Sequence, residues 1–158
     1  MRVVIADDDR QIVELLAAFV TACGYEVVDM VTGGGLAVIQ SCARHRPDVV
    51  LLDIVMPKYN GFTVCQQLVS RNPNVKVLLM SGVVDCEYPS VSRCGAVGYL
   101  QKPMNFEQIR DALAHAIGGI EEKPVAIQEE KPKAICHEEE AIELACEPVG
   151  LMIATATA

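Results

Sequence analysis

The chain contains no tryptophan, and four tyrosines and three phenylalanines are its only aromatic residues, so it lacks the stacking platforms that single-stranded nucleic acids use. Basic residues are also scarce: 13 Lys and Arg stand against 21 Asp and Glu, a formal net charge of -8. Non-specific affinity for a phosphate backbone comes from clustered Lys and Arg, whereas Arg44, Arg46 and Arg71 are isolated here. No direct contact with nucleic acid is expected. Long apolar runs are missing too, because Val3 to Ala6 is cut off by Asp7, Asp8 and Asp9, and Gly150 to Ala158 is too short to span a bilayer. No membrane association is expected. Seven cysteines (Cys23, Cys42, Cys65, Cys86, Cys94, Cys136 and Cys146) make an odd set without any C-x-x-C pair. They read as buried free thiols in a reducing, cytoplasmic setting rather than as a disulfide framework or zinc site. His45, His115 and His137 are too scattered to form a metal centre and are expected to be exposed.

What is present is a regular alternation. Short apolar runs at Val3 to Ala6, Val27-Val28, Val49 to Leu52, Val75 to Met80 and Gly98 to Leu100 are separated by segments of helical period. The first helix, Arg10 to Ala22, should bury the stripe Ile12, Leu15, Leu16, Phe19 and Val20 and stop at Gly24. The last, Phe106 to Ile117, has Asn105 as its cap with Gln108 three positions on. Weaker helices are expected near Leu36 to Arg44, Phe62 to Ser70 and Pro89 to Cys94. Five βα repeats of this kind imply a doubly wound α/β fold, with a parallel sheet covered on both faces and ligands at the strands' carboxyl ends. Residues 1-118 form this domain. Residues 119-158 read as an acidic linker or tail, since 118 to 158 hold nine Glu against three Lys, leaving only two negative charges in excess over residues 1 to 117.

At that predicted carboxyl edge lie Asp7, Asp8 and Asp9 after the first strand, Asp53 after the third, Ser81-Gly82 after the fourth, and Lys102-Pro103 after the fifth. Clustered carboxylates repel one another and call for a cation, and hard oxygen donors favour Mg2+ (or Mn2+). A carboxylate nucleophile beside Mg2+, an ammonium and a hydroxyl suits the acceptance of a phosphoryl group. Each residue also has a plainer role: acids ahead of a helix serve as caps, Ser81 can cap the following helix, and Gly61 is expected to be a turn glycine without chemistry.

Taken in order, Val-Val-Ile-Ala-Asp-Asp-Asp (3 to 9), Pro-Asp-Val-Val-Leu-Leu-Asp-Ile-Val-Met-Pro (47 to 57), Gly61, Met-Ser-Gly (80 to 82) and Tyr-Leu-Gln-Lys-Pro (99 to 103) resemble the CheY-like receiver domain of two-component response regulators. The resemblance covers Arg2 to about Ile117. It implies a flavodoxin-like (βα)5 sheet of strand order 2-1-3-4-5 with a C-terminal extension. It makes Asp53 the phosphoacceptor, Asp8 a direct Mg2+ ligand with Asp53 and the backbone carbonyl of Val55, and Asp7 an indirect contributor. Lys102 would contact the phosphoryl oxygens across a cis Lys102-Pro103 bond, while Ser81 and Tyr99 would form the switch. Ser81 stands where threonine is commoner, and Val83 to Arg93 has weak helical propensity where the family's fourth helix belongs.

The resemblance further implies a sensor histidine kinase or phosphotransfer protein as donor, catalysis limited to the domain's own phosphoryl transfer and dephosphorylation, and homodimerisation on phosphorylation as an option. With no DNA-binding module apparent, output is expected through a downstream protein target on the face of helix 4, strand 5 and helix 5, near Gln101, Asn105 and Phe106. Two rival readings are weaker. A module that signals without phosphorylation would not need Asp8, Asp53 and Lys102 together. An aspartate-nucleophile phosphatase would need a second carboxylate where Val55 stands.

Overall fold

Strands flanked on both sides by others in a parallel sheet must be apolar on both faces, and the burial of each strand ranks them accordingly. Val49–Asp53 (β3) is buried throughout, Arg2–Ala6 (β1) and Lys76–Ser81 (β6) are buried after their first residue, and Glu26–Val31 (β2) and Gly98–Gln101 (β7) are only partly buried. The computed structural model describes residues 1-56, 59-82, 91 and 93-118. Among these, β2-β1-β3-β6-β7 form one sheet with all four pairings parallel, and the two partly buried strands, β2 and β7, lie at its edges as their burial requires. Counting only these five, the order is the expected 2-1-3-4-5. A short antiparallel pair, Val55–Met56 (β4) with Tyr59–Asn60 (β5), was not foreseen.

Because successive strand residues point to opposite faces, each strand feeds two cores. Val4, Ala6, Val50, Leu52, Val77 and Leu79 meet Gly35–His45 (α2) and Gly61–Arg71 (α3) through Val38, Ile39, Val64, Cys65 and Leu68. Val3, Ile5, Val49, Leu51, Leu78 and Met80 meet Arg10–Ala22 (α1) and Phe106–Gly118 (α4) through Val13, Leu16, Val20, Ile109 and Leu113. The doubly wound architecture is thus present. No described helix is long and apolar enough to cross a membrane.

Helix ends follow local chemistry. Asp9 caps α1 by accepting from the Gln11 N–H, and Gly24 beyond its end takes φ +83. Asn105 and Gln108 exchange hydrogen bonds of 2.8 and 2.9 Å between side chain and backbone, the expected reciprocal cap of α4. One stripe was misjudged: α1 buries Val13, Leu16 and Val20, whereas Leu15 is 51% exposed. Ile12 and Phe19 flank the core, and Phe19 meets Phe106 of α4 edge-on at 5.6 Å, so the buried stripe centres on Val13, Leu16 and Val20 and Leu15 lies beyond its edge. The helix expected near Pro89 to Cys94 falls half, and the tail at 119-158 wholly, outside the described residues.

Candidate phosphoryl-acceptor site

The parallel sheet brings the predicted carboxyl-end residues together. Asp7 directly follows β1, Asp53 ends β3, Ser81 ends β6 and Lys102 follows β7, so each enters from a separate strand at one edge. Lys102 Nζ donates to Asp7 Oδ2 at 2.6 Å and to Asp53 Oδ1 at 2.8 Å, across 95 and 49 positions of sequence. Its backbone N–H also donates to the Ser81 carbonyl at 2.7 Å, and the Lys102-Pro103 bond is cis. Asp7 is nearly inaccessible, and its second oxygen accepts from the Asp9 N–H at 3.0 Å, so both oxygens are held. Asp53 is likewise buried, whereas Asp8 is exposed beside them.

Oxygens of Asp7, Asp8 and Asp53 lie within 4.8 Å of one another. Three carboxylates against one ammonium leave two negative charges in excess if all are ionised, in a place where burial makes charge expensive. Burial pushes the Asp53 carboxyl above its ordinary range; Lys102 opposes this through its hydrogen bond and charge, while Asp7 and Asp8 add to it. Burial would lower Lys102, but Asp53 and Asp7 together hold it above the usual lysine value. The arrangement therefore has donors and charge for a divalent cation. Carboxylate oxygens are the hard donors that Mg2+ prefers.

Val55 lies two residues beyond Asp53 in β4 with its side chain 60% exposed. Ser81 is completely buried, and Tyr99 is half-buried against the α2/α3 core. Register pairs Leu79 with Tyr99 and Ser81 with Gln101, so Ser81 and Tyr99 are diagonal neighbours on one face. The expectation of exposed histidines fails for the two described. His45 is half-buried beside Asp29 at 3.7 Å, and His115 has a buried Nε2 without a hydrogen-bond partner among the described residues, because the amphipathic edges of α2 and α4 tuck these rings against the sheet.

Gly61 also has more to do than turn the chain. It opens α3, donates its N–H to the Ile54 carbonyl at 2.9 Å, and leaves no room for a side chain: a Cβ would lie 2.7 Å from Ile54 Cα and press still harder on the Asp53 carbonyl oxygen. Its absence of a side chain lets α3 abut the segment carrying Asp53. Sequence reasoning missed this because the contact joins two segments whose distance only the fold defines. A 400 Å³ cleft lined by Ile39, Cys42, Arg46, Leu68 and Arg71 lies at the opposite edge, where β3 and β6 begin, and takes no part in this cluster.

Comparison with known proteins agrees with the geometry. The family model described as response regulator receiver domain matches residues 3–114. The response regulator MprA of Mycobacterium leprae is 33% identical over 69% of this chain and 47% of its own length. The DNA-binding dual master transcriptional regulator RpaA of Synechocystis is 35% identical over 68% of this chain and 45% of its own. Among solved structures, the receiver domain of the response regulator NarL from Mycobacterium tuberculosis aligns with TM-score 0.70 at 29% identity, covering 75% of this chain and 96% of that one. This chain spans about half the length of the curated relatives it matches.

That proportion corrects one expectation. An output confined to protein–protein contact, with no DNA-binding output domain, does not stand beside a relative named as a DNA-binding regulator of which this chain matches less than half. The acidity of residues 1 to 117 describes this surface alone and carries no information about a DNA-binding module that works with it. Phosphorylation and Mg2+ binding are typical of the family whose model spans the site. The chain belongs to the response regulator receiver domain family.

Proposed function

We propose that this chain is the phosphoryl-accepting input domain of a two-component response regulator, with Asp53 as acceptor and control of transcription as the output. The observation that carries the reading is the Lys102 ammonium held between Asp7 and Asp53, with Asp8 alongside. Asp53 attacks the phosphorus of a donor phosphohistidine; the P–N bond breaks, the imidazole leaves, and an acyl phosphate remains on the carboxylate. Lys102 exchanges its bond to Asp53 for one to a phosphoryl oxygen while its bond to Asp7 keeps it in place. Ser81 Oγ donates to another phosphoryl oxygen, and Tyr99, diagonal to it on the same face, follows that movement toward the output surface.

Asp8, Asp53 and the Val55 carbonyl would hold Mg2+, with Asp7 supporting them indirectly, and the bound ion supplies positive charge that offsets the carboxylates and the arriving phosphoryl oxygens. The domain acts on its own acyl phosphate and has no external turnover, since Val55 stands where an aspartate-based phosphatase needs an acid. A histidine kinase or phosphotransfer protein is the donor class. The transcriptional output rests on the name of the Synechocystis relative, and a cytoplasmic location accords with the free thiols of the described cysteines.

The test is intact mass after incubation with acetyl phosphate and Mg2+, beside Asp53→Asn and an EDTA control. One acid- and base-labile phosphoryl adduct, absent from both controls, is expected. An unmodified, folded wild-type protein that binds Mg2+ would sink the acceptor assignment.

A further inference from the structure

Phosphoryl chemistry uses none of the cysteines, yet two of them meet in the core. Cys65 on α3 and Cys94, in the turn ahead of β7, are both buried in the same cluster. Cys65 Sγ–H donates to the Cys94 carbonyl at 3.4 Å, and Cys94 Sγ–H donates to the Val91 carbonyl at 3.0 Å. A second contact fixes the same approach from the next residue. Gly95 has φ +83, and a Cβ there would meet Val69 Cγ1 at 3.1 Å, Val69 lying one helical turn beyond Cys65. The Cys94-Gly95 turn thus sits on the Cys65-Val69 face of α3, with a glycine allowing both the backbone conformation and the closeness.

We propose that Cys65 and Cys94 form a redox-active dithiol which a hydroperoxide converts to a disulfide, tying α3 to the turn ahead of β7. The Cys94 sulfur attacks a peroxide oxygen and the O–O bond breaks. Water leaves if the oxidant is hydrogen peroxide, an alcohol if it is an organic peroxide, and Cys94 becomes a sulfenic acid. The Cys65 sulfur then attacks the sulfenic sulfur; the S–O bond breaks, and the hydroxyl departs as water with the Cys65 proton. Two electrons pass from the two sulfurs to the peroxide. Cys94 leads because the Cys65 S–H, on turning from the Cys94 carbonyl to the Cys94 sulfur, favours the Cys94 thiolate against the opposing effect of burial, whereas that interaction and burial both push Cys65 up.

The closed loop joins positions 29 apart and contains Ser81, so oxidation would restrain the connection between α3 and the strand bearing Tyr99. In a reducing compartment the pair rests as dithiol and cross-links only under peroxide. The inference does not depend on Asp53 accepting a phosphoryl group.

The experiment treats the reduced full chain with hydrogen peroxide and maps its disulfides by mass spectrometry after non-reducing digestion. Expected are loss of two hydrogens, one cross-linked peptide pair containing Cys65 and Cys94, and a thermal midpoint that rises and returns on adding dithiothreitol. A chain with Cys23, Cys42, Cys86, Cys136 and Cys146 all replaced by Ser should give the same cross-link; if that variant does not fold, the wild-type map decides. Oxygen addition at Cys94 without cross-linking, pairing of either residue with another cysteine, or no reaction would overturn the proposal.

Discussion

Replacing Gly61 with alanine sets two effects of opposite sign against each other. Helix propensity alone favours Gly61→Ala by roughly 0.5-1 kcal/mol, because alanine loses less conformational entropy on folding. Gly61 does not lie among the positive-φ glycines, so the new residue meets no backbone penalty. Packing argues the other way. The added Cβ would stand 2.7 Å from Ile54 Cα and against the Asp53 carbonyl, both backbone atoms that cannot swing aside like the end of a side chain. Overpacking of a tight core typically costs about 1-3 kcal/mol, and a backbone obstacle belongs at the upper end of that range.

The net expectation is destabilisation by about 2 kcal/mol. Urea titration of wild type and variant, read by circular dichroism with a common slope, measures it. Gly82→Ala is the control, since a Cβ there has nothing within 4 Å among the described residues, and it should change stability by no more than about 0.5 kcal/mol. Because the displaced atoms belong to Asp53 and Ile54, phosphorylation of folded Gly61→Ala by acetyl phosphate should also slow. A Gly61→Ala protein as stable as wild type, or more so, would refute the claim that this glycine exists for close approach.

Lys102→Met leaves Asp7 and Asp53 buried without their shared cation, and with Lys102 only 18% exposed the cost should approach 3 kcal/mol, about the lower end for breaking a buried pair. Denaturation in EDTA measures it, and added Mg2+ should recover part by binding the folded state; no loss of stability in EDTA would contradict the geometry. Asp53→Asn tests the carboxyl in the opposite sense. Burial raises its folded-state pKa, so the folded protein takes up that proton more readily than the unfolded chain, and ionisation costs stability as pH climbs above the ordinary 3.8. The Asn variant should therefore be more stable than wild type at neutral pH without metal, with the gap closing as pH falls below 3.8; a gap independent of pH would count against the assignment. On α1, Leu16→Ala should cost about 2-5 kcal/mol and Leu15→Ala within about 0.5 kcal/mol, measured by the same urea titration; comparable losses would restore the stripe read from periodicity.

Local patterns carried much of the architecture. Val3 to Ala6, Val49 to Leu52 and Val77 to Met80 are continuously apolar because strands inside a doubly covered parallel sheet are buried on both faces, a requirement written directly into composition. The bounds of α1 and the Asn105-Gln108 cap were legible for the same reason, since capping is settled within four residues. Asp7, Asp8, Asp53, Ser81 and Lys102 could be named because each follows a recognisable strand, and their residue types belong to one chemistry.

Other features depend on distances between segments far apart in sequence, and these only the tertiary structure decided. Helical period alone could not distinguish Val13 from Leu15 as the buried neighbour of Leu16, because the answer depends on which side of α1 the sheet covers. Gly61 looks like any turn glycine until α3 is seated on the Asp53 backbone. Cys65 and Cys94 are two unremarkable thiols in sequence, and become a pair when the turn at Gly95 is laid across α3. The same holds at the site: sequence supplied three acids and a lysine, while the sheet placed one ammonium 2.6 and 2.8 Å from two carboxylates that start 46 residues apart. Periodicity and caps are short-range physics, repeated at every position of the chain; close packing and charge pairing are long-range and exist only once the strands have chosen their neighbours.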